Sequence, residues 1–205
     1  MRALCFFIVV VVLSACSKPP EQALPRGTRV LALGDSLTAG NGVTPAEAWP
    51  ALLATRTGWE IINGGVSGDT SAGGLARLPD LLEENAPKLV FVTLGGNDML
   101  RRVPKAETVA NLNKILDMVA ARGAKAVLLA TPKPTIAGAV FSSLSAAEFY
   151  RPIADAHKVP LIEDALAEVL SETNLKVDAL HPNVAGHQLL NKKIIAALKK
   201  IGYVR

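Results

Sequence analysis

Four short strings along the chain contain the residue types that acyl transfer requires. They are GDSL at 34–37, a glycine at 68, GGND at 95–98 and DALH at 178–181. Ester cleavage by a serine enzyme needs a hydroxyl nucleophile, an imidazole base, a carboxylate that orients the base, and N–H donors for the oxyanion. Ser36, His181 and Asp178 are candidates for the first three roles. The N–H groups of Ser36 and Gly68 and the side-chain amide of Asn97 are candidate oxyanion donors.

Each candidate in the first three strings also has a purely structural interpretation. Serine is a good helix N-cap, so Ser36 is compatible with capping as well as with catalysis. Gly68 and Asn97 fit turn positions equally well. Ser67 is rejected as a nucleophile, because the second residue after it is not the glycine of the G-x-S-x-G pattern. We assign Asp98 to local hydrogen bonding.

The base is sought among three histidines. His157 ends a predicted helix and His187 lies inside the last one, where packing or exposed roles are common. His181 differs because Asp178 precedes it by three residues. Within one turn this spacing brings the carboxylate to the far ring nitrogen, which fixes the tautomer and stabilises the imidazolium. A structural Asp–His pair is the alternative.

Strand-like apolar runs alternate with helix-like segments from residue 29 onward. The runs KLVFVTL at 88–94 and AKAVLLA at 124–130 are continuously apolar, which is typical of parallel strands covered by helices on both faces. The pattern predicts one α/β domain, a three-layer α/β/α sandwich with a roughly five-stranded parallel sheet. The predicted strands are Val30–Leu33, Glu60–Ile62, Leu89–Leu94, Ala126–Ala130 and Pro160–Ile162. Helices are predicted near Ala46–Arg56, Ser71–Glu84, Ala106–Arg122, Ala146–His157, from Asp164 onward, and near Val184–Lys200.

This topology predicts that the candidate residues converge. In open parallel sheets, the loops that leave the carboxyl ends of neighbouring strands face one crevice. Ser36 follows the first strand, Gly68 the second and Asn97 the third. The DALH block precedes the last helix, and we expect it to fold over the same edge of the sheet.

The N-terminal segment predicts export and a lipid anchor. An apolar run from Ala3 to Leu13 follows Arg2 and is too short to span a bilayer, so residues 1–15 are predicted to be a signal peptide. The string LSAC at 13–16 resembles the lipobox of bacterial lipoproteins, which implies that Cys16 is lipidated and becomes the mature N-terminus. Lipoproteins that resemble this one and lack aspartate after the lipidated cysteine are usually sent to the outer membrane of Gram-negative bacteria, so the resemblance implies that location, facing the periplasm. Residues 16–28 are predicted to form a flexible tether, and residues 29–205 the domain.

Composition excludes several other classes of protein. The net charge is only +4 and aromatic residues are 4% of the chain, which disfavours a nucleic-acid partner. Cys5 lies in the leader and Cys16 is assigned to lipid, so no disulfide or cysteine metal site is expected. A two-metal phosphoesterase built on Asp35, Asn97, Asp98 and His181 would need more ligands than three histidines leave available. We predict no metal, no cofactor and no obligate protein partner.

The four strings, in this order, resemble the SGNH hydrolases, also called the GDSL esterase/lipase family. The resemblance covers residues 29 to about 200 and implies a flavodoxin-like SGNH hydrolase fold. It implies that Ser36 is the nucleophile, that Asp178 and His181 complete the triad, and that Ser36, Gly68 and Asn97 form the oxyanion hole. The chain is most similar to the bacterial thioesterase I/lysophospholipase and arylesterase branch. That branch usually has DGIH where this chain has DALH, a difference that bears on the backbone of that turn.

The resulting hypothesis is a lipid-anchored serine esterase that hydrolyses carboxylic esters or thioesters, including small acyl esters and lysolipids. The segment from Thr131 to Ser145 is expected to line the acyl pocket and differs from the related branch, so substrate preference is not carried over. One alternative is a carbohydrate or peptidoglycan O-acetylesterase. Another is a non-catalytic flavodoxin-like binding lipoprotein, although the chain lacks the G-x-G-x-x-G spacing of a dinucleotide site.

Overall fold

One parallel sheet organises the domain. The computed structural model describes residues 22–134 and 144–205. In this part of the chain, five strands pair in parallel in the order β2-β1-β3-β4-β5. The strands are β1 (Arg29–Gly34), β2 (Glu60–Gly65), β3 (Leu89–Thr93), β4 (Lys125–Leu129) and β5 (Leu161–Ile162).

Helices cover both faces of this sheet, which confirms the predicted α/β/α sandwich. Within the described residues they are α1 (Ser36–Ala39), α2 (Trp49–Thr57), α3 (Ser71–Asn85), α4 (Gly96–Leu100), α5 (Lys105–Ala121), α6 (Tyr150–His157), α7 (Ala165–Ser171) and α8 (Val184–Ile201). A short 3₁₀ turn, Thr173–Leu175, follows α7.

Side chains along each strand alternate between the two faces of the sheet and so contribute to two hydrophobic cores. Successive side chains of a strand point to opposite faces, so Val30 and Ala32 pack with α2, α7 and α8, whereas Leu31 and Leu33 pack with α3, α5 and α6. Phe91 of β3 belongs to the first core and lies edge-on to Trp49, with ring centroids 5.5 Å apart. All five of these β1 and β3 side chains are fully buried. Burial on both faces explains why these strands are continuously apolar in sequence.

The second strand extends further than its composition predicts. We predicted Glu60–Ile62, whereas β2 continues through Asn63 and Gly64 to Gly65 by pairing with the end of β1. Glycine is unfavourable in strands on its own, but here a close contact requires it. A Cβ on Gly65 would lie 2.2 Å from the backbone nitrogen of Ala39 in α1. The bare strand therefore allows α1 to pack directly against the sheet.

Two helices begin later than predicted. The first, α2, starts at Trp49 instead of Ala46, because Ala48 is extended and Pro50 occupies the first turn, where proline is tolerated. The predicted start of α6 near Ala146 was also wrong. Ala146 forms an isolated antiparallel bridge with Pro132, and helical geometry begins only at Tyr150.

Packing of the chain begins before residue 29, the predicted domain boundary. The N–H of Leu24 donates to the carbonyl oxygen of Tyr203 (3.0 Å), and the indole N–H of Trp59 donates to the carbonyl oxygen of Leu24 (3.4 Å). The Leu24 side chain packs against the first core, and Thr28 is buried. The leader, Cys16 and the rest of the predicted tether up to residue 21 lie outside the described residues. In the described part, no helix is long and apolar enough to cross a bilayer.

The strand order places a crevice beside β1. Its neighbours are β2 on one side and β3 on the other, so the chain changes direction across the sheet at this point. Loops that leave the carboxyl ends of these three strands face the same crevice. This is the edge at which the candidate residues were expected to meet.

Candidate active site

Ser36 occupies the first turn of α1, directly after β1. The predicted capping role belongs to its neighbour instead, because Asp35 is the N-cap and accepts a hydrogen bond from the N–H of Leu37 (3.0 Å). The Ser36 hydroxyl is therefore free for another contact. Its Oγ lies 2.9 Å from Nε2 of His181, although 145 positions separate the two residues in the chain.

A tight turn presents His181 to this hydroxyl. Both carboxylate oxygens of Asp178 lie within hydrogen-bond distance of Nδ1 of the imidazole, at 2.8 and 3.0 Å. Oδ1 of Asp178 also accepts the N–H groups of Leu180 (2.7 Å) and His181 (2.9 Å). Burial alone would raise the pKa of Asp178, but these hydrogen bonds outweigh it and hold the pKa below its ordinary value. The DALH turn thus keeps its carboxylate ionised beside the imidazole.

Backbone contacts fix the exit from this turn. The N–H of Val177 donates to the carbonyl oxygen of His181 (3.0 Å). Asn183 then caps α8, because its Oδ1 accepts the N–H of Gly186 (3.0 Å). Its Nδ2 donates back to the carbonyl oxygen of Asn174 (2.8 Å). The imidazole is therefore positioned by a rigid loop closed on the start of a long helix.

The candidate oxyanion donors include two backbone N–H groups. Among the described residues, neither Ser36 nor Gly68 has a hydrogen-bond acceptor for its N–H. Gly68 adopts φ = +76°, a conformation that L side chains rarely take. Its carbonyl oxygen is held by Nη2 of Arg101 (2.7 Å), which fixes the direction of this peptide. Both N–H groups are thus available as donors to a ligand.

Asn97 lies at the start of α4, after β3. Its Nδ2 donates to the carbonyl oxygen of Asp69 (2.9 Å) and, over a longer distance, to Oδ2 of Asp35 (3.2 Å). An amide nitrogen has only two hydrogens, so an oxyanion would replace one of these acceptors. The longer contact, to Asp35, is the easier one to exchange. Asn97 is therefore oriented by the loops after β1 and β2.

Asp35 is a buried carboxyl group at the centre of this arrangement. It is 2% exposed, and burial raises its pKa to about 6, against the opposing effects of the Leu37 N–H and the charge of His181. Sequence reasoning named Asp35 only as a possible metal ligand. Its contacts instead show a cap for α1 and an acceptor for the Asn97 amide.

A partly buried arginine that sequence reasoning missed joins two of the loops. Arg77, on α3, donates from Nε to Oδ2 of Asp69 (2.8 Å) and from Nη2 to the carbonyl oxygen of Gly34 (2.9 Å). Asp69 follows Gly68, and Gly34 ends β1 before Ser36. Arg77 therefore ties the loop after β2 to the end of β1. No motif in the sequence marks Arg77.

The residues assigned to structural roles lie in other environments. Asp98 is buried and accepts the N–H of Ser71 (2.8 Å), in agreement with its assignment to local hydrogen bonding. The hydroxyl of Ser67 donates to Asn41 (2.6 Å). His157 contacts Asn113 (2.9 Å between Nε2 and Oδ1). Metal-ligating residue types form no cluster of three or more within residues 22–134 and 144–205.

His187 is packed inside the domain. It is fully buried, and its Nδ1 accepts the N–H of Trp49 (3.3 Å). Burial, with a smaller effect from the charge of His181, lowers the pKa of His187 to about 4. This histidine is therefore neutral at physiological pH and joins α8 to α2.

A mainly apolar cavity of about 400 Å³ opens beside Ser36. Leucines from five parts of the chain form much of its wall: Leu37, Leu100, Leu144, Leu170 and Leu180. The described ends of the segment expected to line an acyl pocket do line it, through Thr131–Pro134 and Leu144. The rest of that segment, residues 135–143, lies outside the described part of the chain. A cavity of this size and character suits an acyl chain held next to the hydroxyl.

Comparison with known proteins identifies the family. The model of the GDSL-like lipase/acylhydrolase family matches residues 32–189, a span that contains all five candidate residues. The chain belongs to this family of SGNH hydrolases. Curated relatives agree with this assignment. An arylesterase of Vibrio mimicus is 34% identical over 85% of this chain and 88% of its own length. The thioesterase 1/protease 1/lysophospholipase L1 of Escherichia coli is 39% identical over 75% of each chain.

Solved structures of SGNH hydrolases share the fold. The crystal structure of TesA matches with a TM-score of 0.76 and 35% identity, covering 85% of this chain and 99% of that one. The psychrotrophic esterase EstA from Pseudoalteromonas sp., in a structure inhibited by monoethylphosphonate, matches with a TM-score of 0.74 and 30% identity over 84% and 97% of the two chains. This SGNH hydrolase is thus a carboxylic ester hydrolase.

Proposed function

We propose that the chain is a lipid-anchored serine esterase that hydrolyses carboxylic esters or thioesters through an acyl-enzyme on Ser36. One observation carries the catalytic part of the proposal. Oγ of Ser36, the ring of His181 and the carboxylate of Asp178 form an unbroken line of contacts of 2.9 and 2.8 Å. This is the relation of nucleophile, base and orienting acid that acyl transfer requires.

In the acylation step, Ser36 Oγ attacks the acyl carbonyl carbon while Nε2 of His181 takes the hydroxyl proton. Asp178 accepts a hydrogen bond from Nδ1–H and stabilises the imidazolium that forms. The N–H groups of Ser36 and Gly68 and the amide of Asn97 donate to the oxyanion. The protonated His181 then gives its proton to the leaving alcohol or thiol, and the acyl group remains on Ser36.

In the deacylation step, His181 takes a proton from a water molecule, which attacks the acyl-enzyme. The second tetrahedral oxyanion uses the same donors. Its collapse returns the proton from His181 to Ser36 Oγ and releases the carboxylic acid. The apolar cavity beside Ser36 holds the acyl chain throughout, which is consistent with the arylesterase and lysophospholipase names of the relatives.

The catalytic proposal is tested with p-nitrophenyl esters of increasing chain length, beside a lysophospholipid. We expect turnover that resists EDTA and is abolished by Ser36→Ala and by an organophosphonate of the kind named in the EstA structure. Ser67→Ala is the matched control, because this nearby hydroxyl contacts Asn41 instead of a histidine. Full turnover by pure Ser36→Ala protein would refute the assignment.

We also propose that Cys16 carries the lipid anchor and that the enzyme faces the periplasm from the outer membrane of a Gram-negative cell. The LSAC string at 13–16 and the apolar run before it support this part. Several acyl chains on one cysteine would hold the protein stably, since each buried CH₂ contributes about 0.8 kcal/mol. Mass analysis of the N-terminal peptide should find the acylated cysteine, and Cys16→Ala should release the enzyme from the membrane fraction.

A further inference from the structure

The candidate active site lies at one end of the domain. The N-terminal entry, which is the part of the chain at Leu24, lies at the opposite end. Strand β1 begins at Arg29, close to the N-terminal entry, and ends at Gly34, next to Ser36. Helix α8 runs in the opposite direction to β1, from Val184 to Ile201. His181 lies just before its first residue, and Tyr203, which binds Leu24, lies just after its last.

The length of helix α8 is a lower bound on the separation between the two ends, because residues of the domain lie beyond both of its termini. Its 18 residues span about 27 Å at 1.5 Å per residue. A compact domain of about 180 residues is itself roughly 40 Å across. The catalytic edge is thus the far side of the domain as seen from Leu24.

The chain between the lipid anchor and Leu24 is too short to let the active site face the membrane. Leu24 is held by two hydrogen bonds and by packing against the first core, so the free length ends there and not at the predicted boundary near residue 29. Seven residues lie between Cys16 and Leu24, so eight Cα-to-Cα steps join the two. Even fully extended they reach about 28 Å. That is less than the width of the domain they would have to pass for the site to face the membrane.

Positive charge lies at the same end as Leu24. A cavity of about 450 Å³ there is lined by Arg26, Arg56 and Arg205 beside Leu24 and Trp59, and none of the described residues that line it has an acidic side chain. Each arginine close to an anionic membrane surface contributes about 1 kcal/mol of attraction. The attraction of these arginines to an anionic bilayer is compatible with the orientation that the short tether imposes.

We infer that the enzyme acts on esters presented from the aqueous side and not on lipids embedded in the membrane that anchors it. This inference rests on the proposed esterase activity and on lipidation of Cys16. The anchored domain keeps the end at Leu24 towards the bilayer, and Ser36 lies on the side that is directed away from it. An embedded ester then remains out of reach, whereas a dissolved ester or one displayed on a facing polymer meets the open crevice.

The test uses the lipidated full-length protein in vesicles of phosphatidylethanolamine and phosphatidylglycerol. Two fluorophosphonate probes are compared, one soluble and one attached by a short linker to the headgroup of a bilayer phospholipid. Labelling joins the probe phosphorus to Ser36 Oγ and expels fluoride. The matched variant carries about thirty added Gly and Ser residues between positions 20 and 21, which gives a root-mean-square reach of about 30 Å beyond the natural chain. Ser36→Ala provides the background.

We expect the soluble probe to label the natural and lengthened proteins at the same rate. The lipid-borne probe should label the natural protein at least about tenfold more slowly than the lengthened one. Equal labelling of both proteins by the lipid-borne probe overturns the inference, as does failure of the longer tether to increase labelling. Failure of the soluble probe to label either protein instead refutes the proposed serine chemistry. Full-length protein that does not associate with the vesicles refutes the lipid anchor on which the inference rests.

Discussion

Replacing Asp178 by asparagine should disable the enzyme without unfolding it. Asparagine keeps a carbonyl oxygen that can accept the N–H groups of Leu180 and His181, so the turn survives. Its NH₂ group, however, donates to Nδ1 of His181. That contact forces the ring proton onto Nε2, which then donates to Ser36 when it should accept the hydroxyl proton.

The expected loss of kcat has two causes, the wrong tautomer of His181 and the missing negative charge of Asp178. In a serine triad this exchange lowers kcat about 10⁴-fold, which corresponds to about 5.5 kcal/mol. The side chain of Asp178 is 54% exposed, so water shares in stabilising the imidazolium and reduces the electrostatic part of the loss. We therefore expect kcat to fall about 10³- to 10⁴-fold with KM nearly unchanged.

The assay is steady-state hydrolysis of a soluble p-nitrophenyl ester, with thermal unfolding as the test of folding. Asp155→Asn is the matched control, because Asp155 is an exposed carboxylate on α6, away from the site. The double variant Ser36→Ala/Asp178→Asn should be no slower than Ser36→Ala, since the two residues act as a unit. A folded Asp178→Asn enzyme within about tenfold of the natural kcat would refute the reasoning.

Three further variants test the surroundings of Ser36. Asn97→Ala should lower kcat about 10²- to 10³-fold with little change in KM, measured with the same ester, because one oxyanion donor is lost. Arg77→Lys keeps the charge but cannot reach both Asp69 and Gly34, so kcat should fall about tenfold while the melting temperature changes little. For Asp35, burial raises the pKa from 3.8 to about 6, so its contribution to stability is present below pH 4 and is lost as the pH rises to about 6. The free energy of unfolding, measured with denaturant from about pH 4 to pH 7, should fall by up to about 3 kcal/mol more for the natural protein than for Asp35→Asn. Parallel pH dependences of the two proteins would contradict this.

The sheet was predictable because burial on both faces leaves a strong signal. Strand β3 is an uninterrupted apolar run, and no helix amphipathicity competes with it. Strand β2 was predicted too short, because its second half is Asn63, Gly64 and Gly65, whose strand geometry comes from pairing with β1. Pairing and the close approach of α1 are tertiary effects, so local composition does not reveal them.

The candidate residues were predictable for a different reason. Ser36, Asn97 and His181 are recognised by their chemistry. Strand order brings the loops of Ser36 and Asn97 together, and the turn before α8 brings His181 to the same edge. The roles of Asp35 and Arg77 were missed because they depend on contacts with other loops, to the Asn97 amide for Asp35 and to the Gly34 carbonyl oxygen for Arg77. A buried aspartate and a partly buried arginine look like ordinary surface residues in a sequence with 20% charged residues.

These two missed residues explain how the Asn97 amide can face a ligand although both of its hydrogens have acceptors. Arg77 neutralises Asp69 and holds its loop, so the 2.9 Å contact to the Asp69 carbonyl oxygen is preorganised. The contact to Asp35 is longer and involves a carboxyl group whose pKa burial raises to about 6. The oxyanion of a tetrahedral intermediate is more basic than a carboxylate and is therefore the stronger acceptor. On the proposed mechanism, the amide would turn one hydrogen to the transition state while the other keeps its orientation, and binding of the transition state would then be stronger than binding of the ester itself.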